Sequence, residues 1–257
     1  MVIKNLIKSK KGIVMPNKEN TLQRLMDFSQ KALCIRDKTK GAMDGKFLES
    51  IFHDKKWREI ELKDKLAMLA KIYSVARTVK LDKMAKAVFD KTDLFVKGYA
   101  QNDYVLSKEL ESLLMTTKCG TMPTRNKIVS CMSKYGYYIS KLNFPIYDKY
   151  AREGLAKFIT NHRELDIGKH AGKCPEVKFF AQYGDLLRLL QKSGIKAKQS
   201  TLIDNLDAFF WLYGIMNNID NQPEDAANKK FWWSGTCGYM GDSLEWYNNA
   251  KEFMGDI

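Results

Sequence analysis

Lys134 and Asp148 stand fourteen positions apart in the stretch MSKYGYYISKLNFPIYDKYAREGLAKF (residues 132–158), and both are residue types that can act on a sugar carbon. An amine can attack such a carbon and form a Schiff base, provided that burial or a neighbouring cation favours its neutral form. A carboxylate can stabilise positive charge that builds on the sugar, or deprotonate the attacking nucleophile. Each residue also has a plainer reading. Asp148 follows the stiff dipeptide Pro145-Ile146 at the start of an amphipathic stretch, where an aspartate caps a helix and suits its dipole. Lys134 can be a solvated cation on a lysine-rich face, or an ion-pair partner of Asp148. The two readings of Asp148 are compatible, because a cap fixes a carboxylate and keeps it ionised.

The surrounding residues suit a nucleic acid. An enzyme that works on a base must lift it from the stack and hold it against flat side chains. Tyr147, Tyr150 and Trp211 are candidate walls of a base pocket, with Phe144 a further platform; core packing is the alternative for Phe144 and Trp211. Tyr135, Tyr137 and Tyr138 can shield Lys134. Arg125, Lys127, Lys141, Lys149 and Arg152 flank the motif and can contact phosphates, or simply form a solvated face. The segment Phe231–Trp246 holds three tryptophans and is expected to anchor the C-terminal region, with a lesion-reading wedge as the alternative. His162, His170 and Cys174 lack a zinc spacing, so no metal is expected. No GxxxxGK[ST], GxSxG or HExxH motif occurs, which removes support for those enzyme classes; no cofactor is expected.

The elements that must position these residues read as helices. Apolar residues recur at helical spacing over residues 22–33, 57–80, 81–89, 103–115, 126–142, 148–160, 176–192 and 201–216, with Gly194 placed to end the seventh. Alternating stretches with hairpin turns are missing, so the fold class is all-α. Residues 1–20 form a basic arm, 21–160 a helical domain carrying the SKY…PIYD motif, 161–175 a polar connector, and 176–257 a C-terminal helical part packing on the first. The chain of 257 residues carries 43 Lys and Arg against 30 Asp and Glu, a net charge of +13 that favours a polyanionic partner. Five cysteines without a CxxC pair suit a reducing cytoplasm rather than a disulfide framework. No apolar run reaches membrane length, so no membrane partner is expected, and the N-terminus lacks the apolar core of a signal peptide.

Ser133-Lys134-Tyr135 followed by Pro145-Ile-Tyr-Asp-Lys-Tyr150 resembles a motif of bacterial proteins similar to 8-oxoguanine DNA glycosylases, within the helix-hairpin-helix DNA glycosylase superfamily. Two further stretches are similar to that group: Lys65–Phe89 and Leu202–Ile215, the latter with Asp204 or Asp207 before Trp211 and Gly214. Together they cover about residues 57–216. The resemblance implies a helical bundle that hydrolyses the N-glycosidic bond of a damaged or modified base in DNA, in repair or phage defence. It assigns Asp148 as the catalytic carboxylate, and Lys134 as the nucleophile of a member that also cuts the backbone.

The chain departs from that pattern at two places. The lysine of such members stands one helical turn further upstream, where this chain has Ser130. The Gly-x-Gly hairpin that precedes the helix is replaced by TMPTRNK (Thr121–Lys127). These departures motivate an alternative, a catalytically inactive module that binds DNA or senses a modified base. A third reading is a protein-interaction domain whose basic surface meets an acidic partner.

Overall fold

Capping and apolar spacing decide where the helices begin and end. The computed structural model describes residues 18–38, 40–73, 79–99, 104–115, 125–221 and 240–255; for 40–43, 98, 125–127 and 240–243 this means the backbone alone. Eleven helices run through these residues: α1 (Lys18–Asp37), α2 (Lys40–His53), α3 (Leu62–Ile72), α4 (Leu81–Val88), α5 (Thr92–Gly98), α6 (Lys108–Leu114), α7 (Arg125–Ile139), α8 (Lys149–Asn161), α9 (Pro175–Lys192), α10 (Gln199–Asp220) and α11 (Met240–Phe253). The architecture is all-helical, with no strand among the described residues. None of the described helices is long and apolar enough to cross a membrane.

α10 is the axis. It buries side chains on every side, among them Leu202, Leu206, Phe209, Phe210 and Leu212, as a helix enclosed by others must. α1 and α8 lie against it, and α9 and α11 add further cover. The α8–α10 crossing is a backbone contact. A Cβ on Gly154 would lie 2.7 Å from the Phe210 carbonyl oxygen, and one on Gly214 would fall on the carbonyl of Tyr150. The two glycines thereby bring the start of α8, with Asp148, close to the α10 face that carries Asp207 and Trp211. A single apolar cluster extends from Leu22 in α1 to Met254 after α11.

Several boundaries differ from the sequence expectation for physical reasons. The stretch 57–80 is not one helix: a 3₁₀ turn covers Lys55–Trp57, and α3 starts only at Leu62. α6 starts at Lys108 rather than near 103, because the Ser107 hydroxyl accepts the Leu110 N–H at 3.1 Å and caps it there. Tyr104, just upstream, has a positive φ of 48° that no helix accommodates. α2 and α5 lacked a sequence signal strong enough to be expected. The connector is ordered, with a 3₁₀ turn at Arg163–Leu165. Of the basic arm, residues 18–20 belong to α1 and 1–17 lie outside the described residues.

Candidate functional site

α7, α10, the end of α1 and the segment before α8 enclose a cavity of about 320 Å³. Lys134, Tyr137 and Tyr138 face it from α7 at helical spacing, as do Asp204, Asp207 and Trp211 from α10. Arg36, Asp37, Tyr73, Leu142, Ile146 and Asp148 border it as well, and α2 adds Gly45, Lys46 and Glu49. Lys134 and Asp148, the two candidate residues of the SKY…PIYD motif, therefore border the same space.

Lys134 is 4% exposed. Its Nζ donates to the Ser130 Oγ at 2.7 Å and lies 4.8 Å from the centre of the Tyr73 ring. Side chains on a helix lean toward its N-terminus. The amino group of Lys134 is accordingly drawn back one turn, level with Ser130.

Asp148 caps α8. Its Oδ1 accepts the Ala151 N–H at 2.8 Å, and its backbone is extended. The cap engages one carboxylate oxygen of two, and Asp148 borders the cavity. What fixes Asp148 relative to Lys134 is the pair of residues beside them. The buried Ser133 Oγ accepts the Tyr147 N–H at 2.9 Å, while its own hydroxyl donates to the Ser130 carbonyl at 3.0 Å. Ser133→Ala leaves the Tyr147 N–H buried without its acceptor, which costs about 1–3 kcal/mol. Urea unfolding is expected to show an unfolding free energy lowered by that amount and a correspondingly lower midpoint, with Ser133→Thr nearer to wild type; equal midpoints for Ser133→Ala and wild type would refute the link.

The acidic side is a network. Arg36 Nη2 donates to Asp204 Oδ1 at 2.8 Å, and Tyr137 Oη donates to the same oxygen. Arg36 Nη1 stands 3.9 Å from Asp207 Oδ2. Burial lowers the Arg36 guanidinium, but Tyr137, Asp204 and Asp207 together outweigh it and the net direction is upward. Asp207 behaves differently from Asp204. Burial pushes its carboxyl up to about 8, with Asp148 and Asp204 adding to the rise and Arg36 opposing it. At neutral pH Asp207 thus holds a proton inside the cavity wall. The Tyr73 and Tyr138 hydroxyls are 2.7 Å apart. Burial raises both phenols, Tyr138 to about 12, so both remain neutral.

The remaining candidates divide. Trp211 lines the cavity. Tyr147 does not: in the extended segment it points away from Ile146 and Asp148, packs on Phe179 with ring centres 5.3 Å apart, and meets Arg152 through its hydroxyl at 3.4 Å. Tyr150 is half-buried outside the lining, with the Lys149 Nζ 5.6 Å above its ring. Phe144 is fully buried among Phe95, Tyr99 and Phe180. Lys149 reaches the Asn218 side chain at 3.2 Å. Lys141 is exposed, with a φ of 55°, and ends α7 in a Schellman turn in which the Leu142 N–H donates to the Tyr137 carbonyl at 2.7 Å. The side chains of Arg125 and Lys127 lie outside the described residues. Of the C-terminal tryptophans, Trp246 anchors α11 by donating to the Phe28 carbonyl at 3.0 Å; Trp232 and Trp233 lie outside the described residues. His162 is engaged by the Phe253 carbonyl at 2.8 Å and His170 by Asp185 at 2.7 Å. No group of side chains suited to a metal ion occurs among the described residues.

Sequence reasoning missed Arg36 and Tyr73 and did not place Asp204 or Asp207 in the site. Two acids inside the apolar run LIDNLDAFFWLYGI were a signal, since buried carboxylates need a purpose or a partner. Compared with protein-family models, with curated proteins and with solved structures, the chain matches none.

Proposed function

We propose that the protein is a DNA glycosylase of the helix-hairpin-helix kind, hydrolysing the N-glycosidic bond of a damaged or modified base in the cytoplasm, in repair or in phage defence. The observation that carries this reading is the shared cavity of Lys134 and Asp148, with the Lys134 amine drawn back to the level of Ser130. The resemblance asks for an amine at that height, so the serine there is a hydrogen-bond partner rather than a lost nucleophile.

An extruded nucleotide enters beside Trp211, whose ring offers a stacking wall. Lys134 Nζ attacks the sugar C1′, and the bond from C1′ to the base breaks with its electron pair leaving on the base. Asp148 stabilises the positive charge on the sugar and takes the proton that the amine releases. Asp207, protonated at neutral pH, supplies a proton to the departing base. Ring opening then leaves an imine between Lys134 and C1′.

Borohydride trapping tests this on duplexes carrying 8-oxoguanine, uracil, hydroxymethylated or glucosylated cytosine, or an abasic site. The expected result is a covalent adduct with wild type on one of these substrates and none with Lys134→Ala. Base release without an adduct would reduce Lys134 to a binding residue and leave a monofunctional enzyme resting on Asp148. The replacement of the glycine hairpin by TMPTRNK favours a second reading, a module that senses a modified base without turnover. Base-selective binding with neither adduct nor base release would establish it.

A further inference from the structure

A second and larger groove, of about 810 Å³, lies between α8, the connector 162–174 and the start of α9. Arg152, Arg163, Lys169 and Lys178 stand around it, against the two carboxylates of Glu153 and Asp166. Arg152 meets Glu153 at 3.5 Å. No ion pair joins Arg163, Lys169 or Lys178 to a carboxylate among the described residues, and all three are exposed. The floor is apolar, built from Leu155, Ile167 and Phe179. Cations on a rim above an apolar floor match the two faces of a nucleotide strand, phosphates outside and sugars and bases within.

The wall is held in place rather than loosely laid down. Asp185 accepts the Gly168 N–H at 3.0 Å and binds His170 at 2.7 Å, and it is itself paired with Arg188. The Gln182 amide donates to the Gly168 carbonyl at 3.2 Å. Asp166 and His170 have φ values of 56° and 45°, a backbone region that non-glycine residues occupy only when the surroundings enforce it. The groove shares no lining residue with the cavity and lies on the other side of the extended segment before α8. The Arg152 guanidinium touches Tyr147, which forms the reverse side of the extended segment whose Ile146 and Asp148 border the cavity.

We propose that this groove binds a single strand of nucleic acid. The proposal rests on the reading above for the nature of the partner, not for the chemistry.

The test is fluorescence anisotropy with a short unmodified single-stranded DNA across a salt series. The combined variant Arg163→Glu, Lys169→Glu and Lys178→Glu is compared with a control of equal charge change, Lys83→Glu, Lys86→Glu and Lys108→Glu, which are exposed on α4 and α6. The groove variant is expected to bind on the order of tenfold or more weakly, and its slope of log affinity against log salt is expected to be shallower by about 2, as loss of three phosphate contacts on a single strand requires. The control is expected to keep most of the wild-type slope. Equal losses in both variants would overturn the proposal, since net charge alone would then explain binding. So would a polyglutamate peptide that displaces the DNA from wild type at similar concentration, because the site would then be one for acidic proteins. Weakened binding by the groove variant stands as support even where wild type yields no borohydride adduct, in which case only the chemistry assigned to the cavity falls.

Discussion

Asp148→Asn is expected to leave the fold intact and to slow base release by about 10²–10⁴-fold, the range typical for removing a positioned acid–base group. The substitution separates two duties that one side chain holds. As a cap, Asp148 needs only an acceptor for the Ala151 N–H, and asparagine caps a helix about as well as aspartate. Its urea midpoint should therefore stay near wild type, whereas Asp148→Ala should lose about 1 kcal/mol with the cap. As a catalytic group, Asp148 needs a negative charge beside the sugar, and the amide has none. Single-turnover base release by both variants, set against their unfolding curves, decides the matter. Undiminished release by Asp148→Asn would make the residue a cap and nothing more. The charge change reaches only as far as the cavity, because Ser133 keeps holding the Tyr147 backbone and so keeps position 148 beside Lys134.

How far the site was legible in the sequence follows from how local each part of it is. The Asp148 cap was legible because Pro-Ile-Tyr-Asp before an amphipathic stretch is a local signal, and the helix does begin at Lys149. α10 was legible as an apolar run, though it continues to Asp220. The Ser130 discrepancy came from counting residues along the chain. A long side chain on a helix acts about one turn N-terminal to its own Cα, so Lys134 and Ser130 serve one place. The alternation of an extended segment sends Tyr147 away from Ile146 and Asp148, a pattern already present in the sequence once the segment is taken as extended. Arg36 was not legible. It meets Asp204 across 168 positions of sequence, and no periodicity within α1 distinguishes a cation that points inward from one in solvent. Tyr73 likewise reaches the cavity from just beyond the end of α3, inside the stretch 57–80 that the sequence reads as one long helix. The connector, expected as a polar spacer, became a groove wall through Asp185, again by contacts that the local sequence does not announce.

Asp207→Asn is expected to remove a large share of the protein's dependence on pH. In the folded chain burial holds the Asp207 carboxyl near 8, against roughly 3.9 for an aspartate in the unfolded chain. Between those values the unfolded chain has released a proton that the folded chain keeps. The unfolded state then binds fewer protons, so stability falls as pH rises from about 4 toward 8 and levels off above it, by about 1.4 kcal/mol per pH unit within the window. The full swing is on the order of 5 kcal/mol. Asparagine carries no such proton. The variant should match wild type below about pH 3, where Asp207 is protonated in both states, and exceed it near pH 8. Urea midpoints of the two proteins across this range check the claim, since every other titrating group contributes to both and only Asp207 separates them. Parallel curves would show that Asp207 is ionised in the folded protein at neutral pH. On replacement of Asp207 by asparagine, activity should move the opposite way to stability. Above pH 8 wild-type Asp207 loses the proton proposed for the leaving base. Base release by wild type should therefore fall on the alkaline side, and Asp207→Asn should lack that limb while starting from a lower rate. A residue kept for stability alone would not give this pair of results, because it would be better replaced by the amide at every pH above about 4.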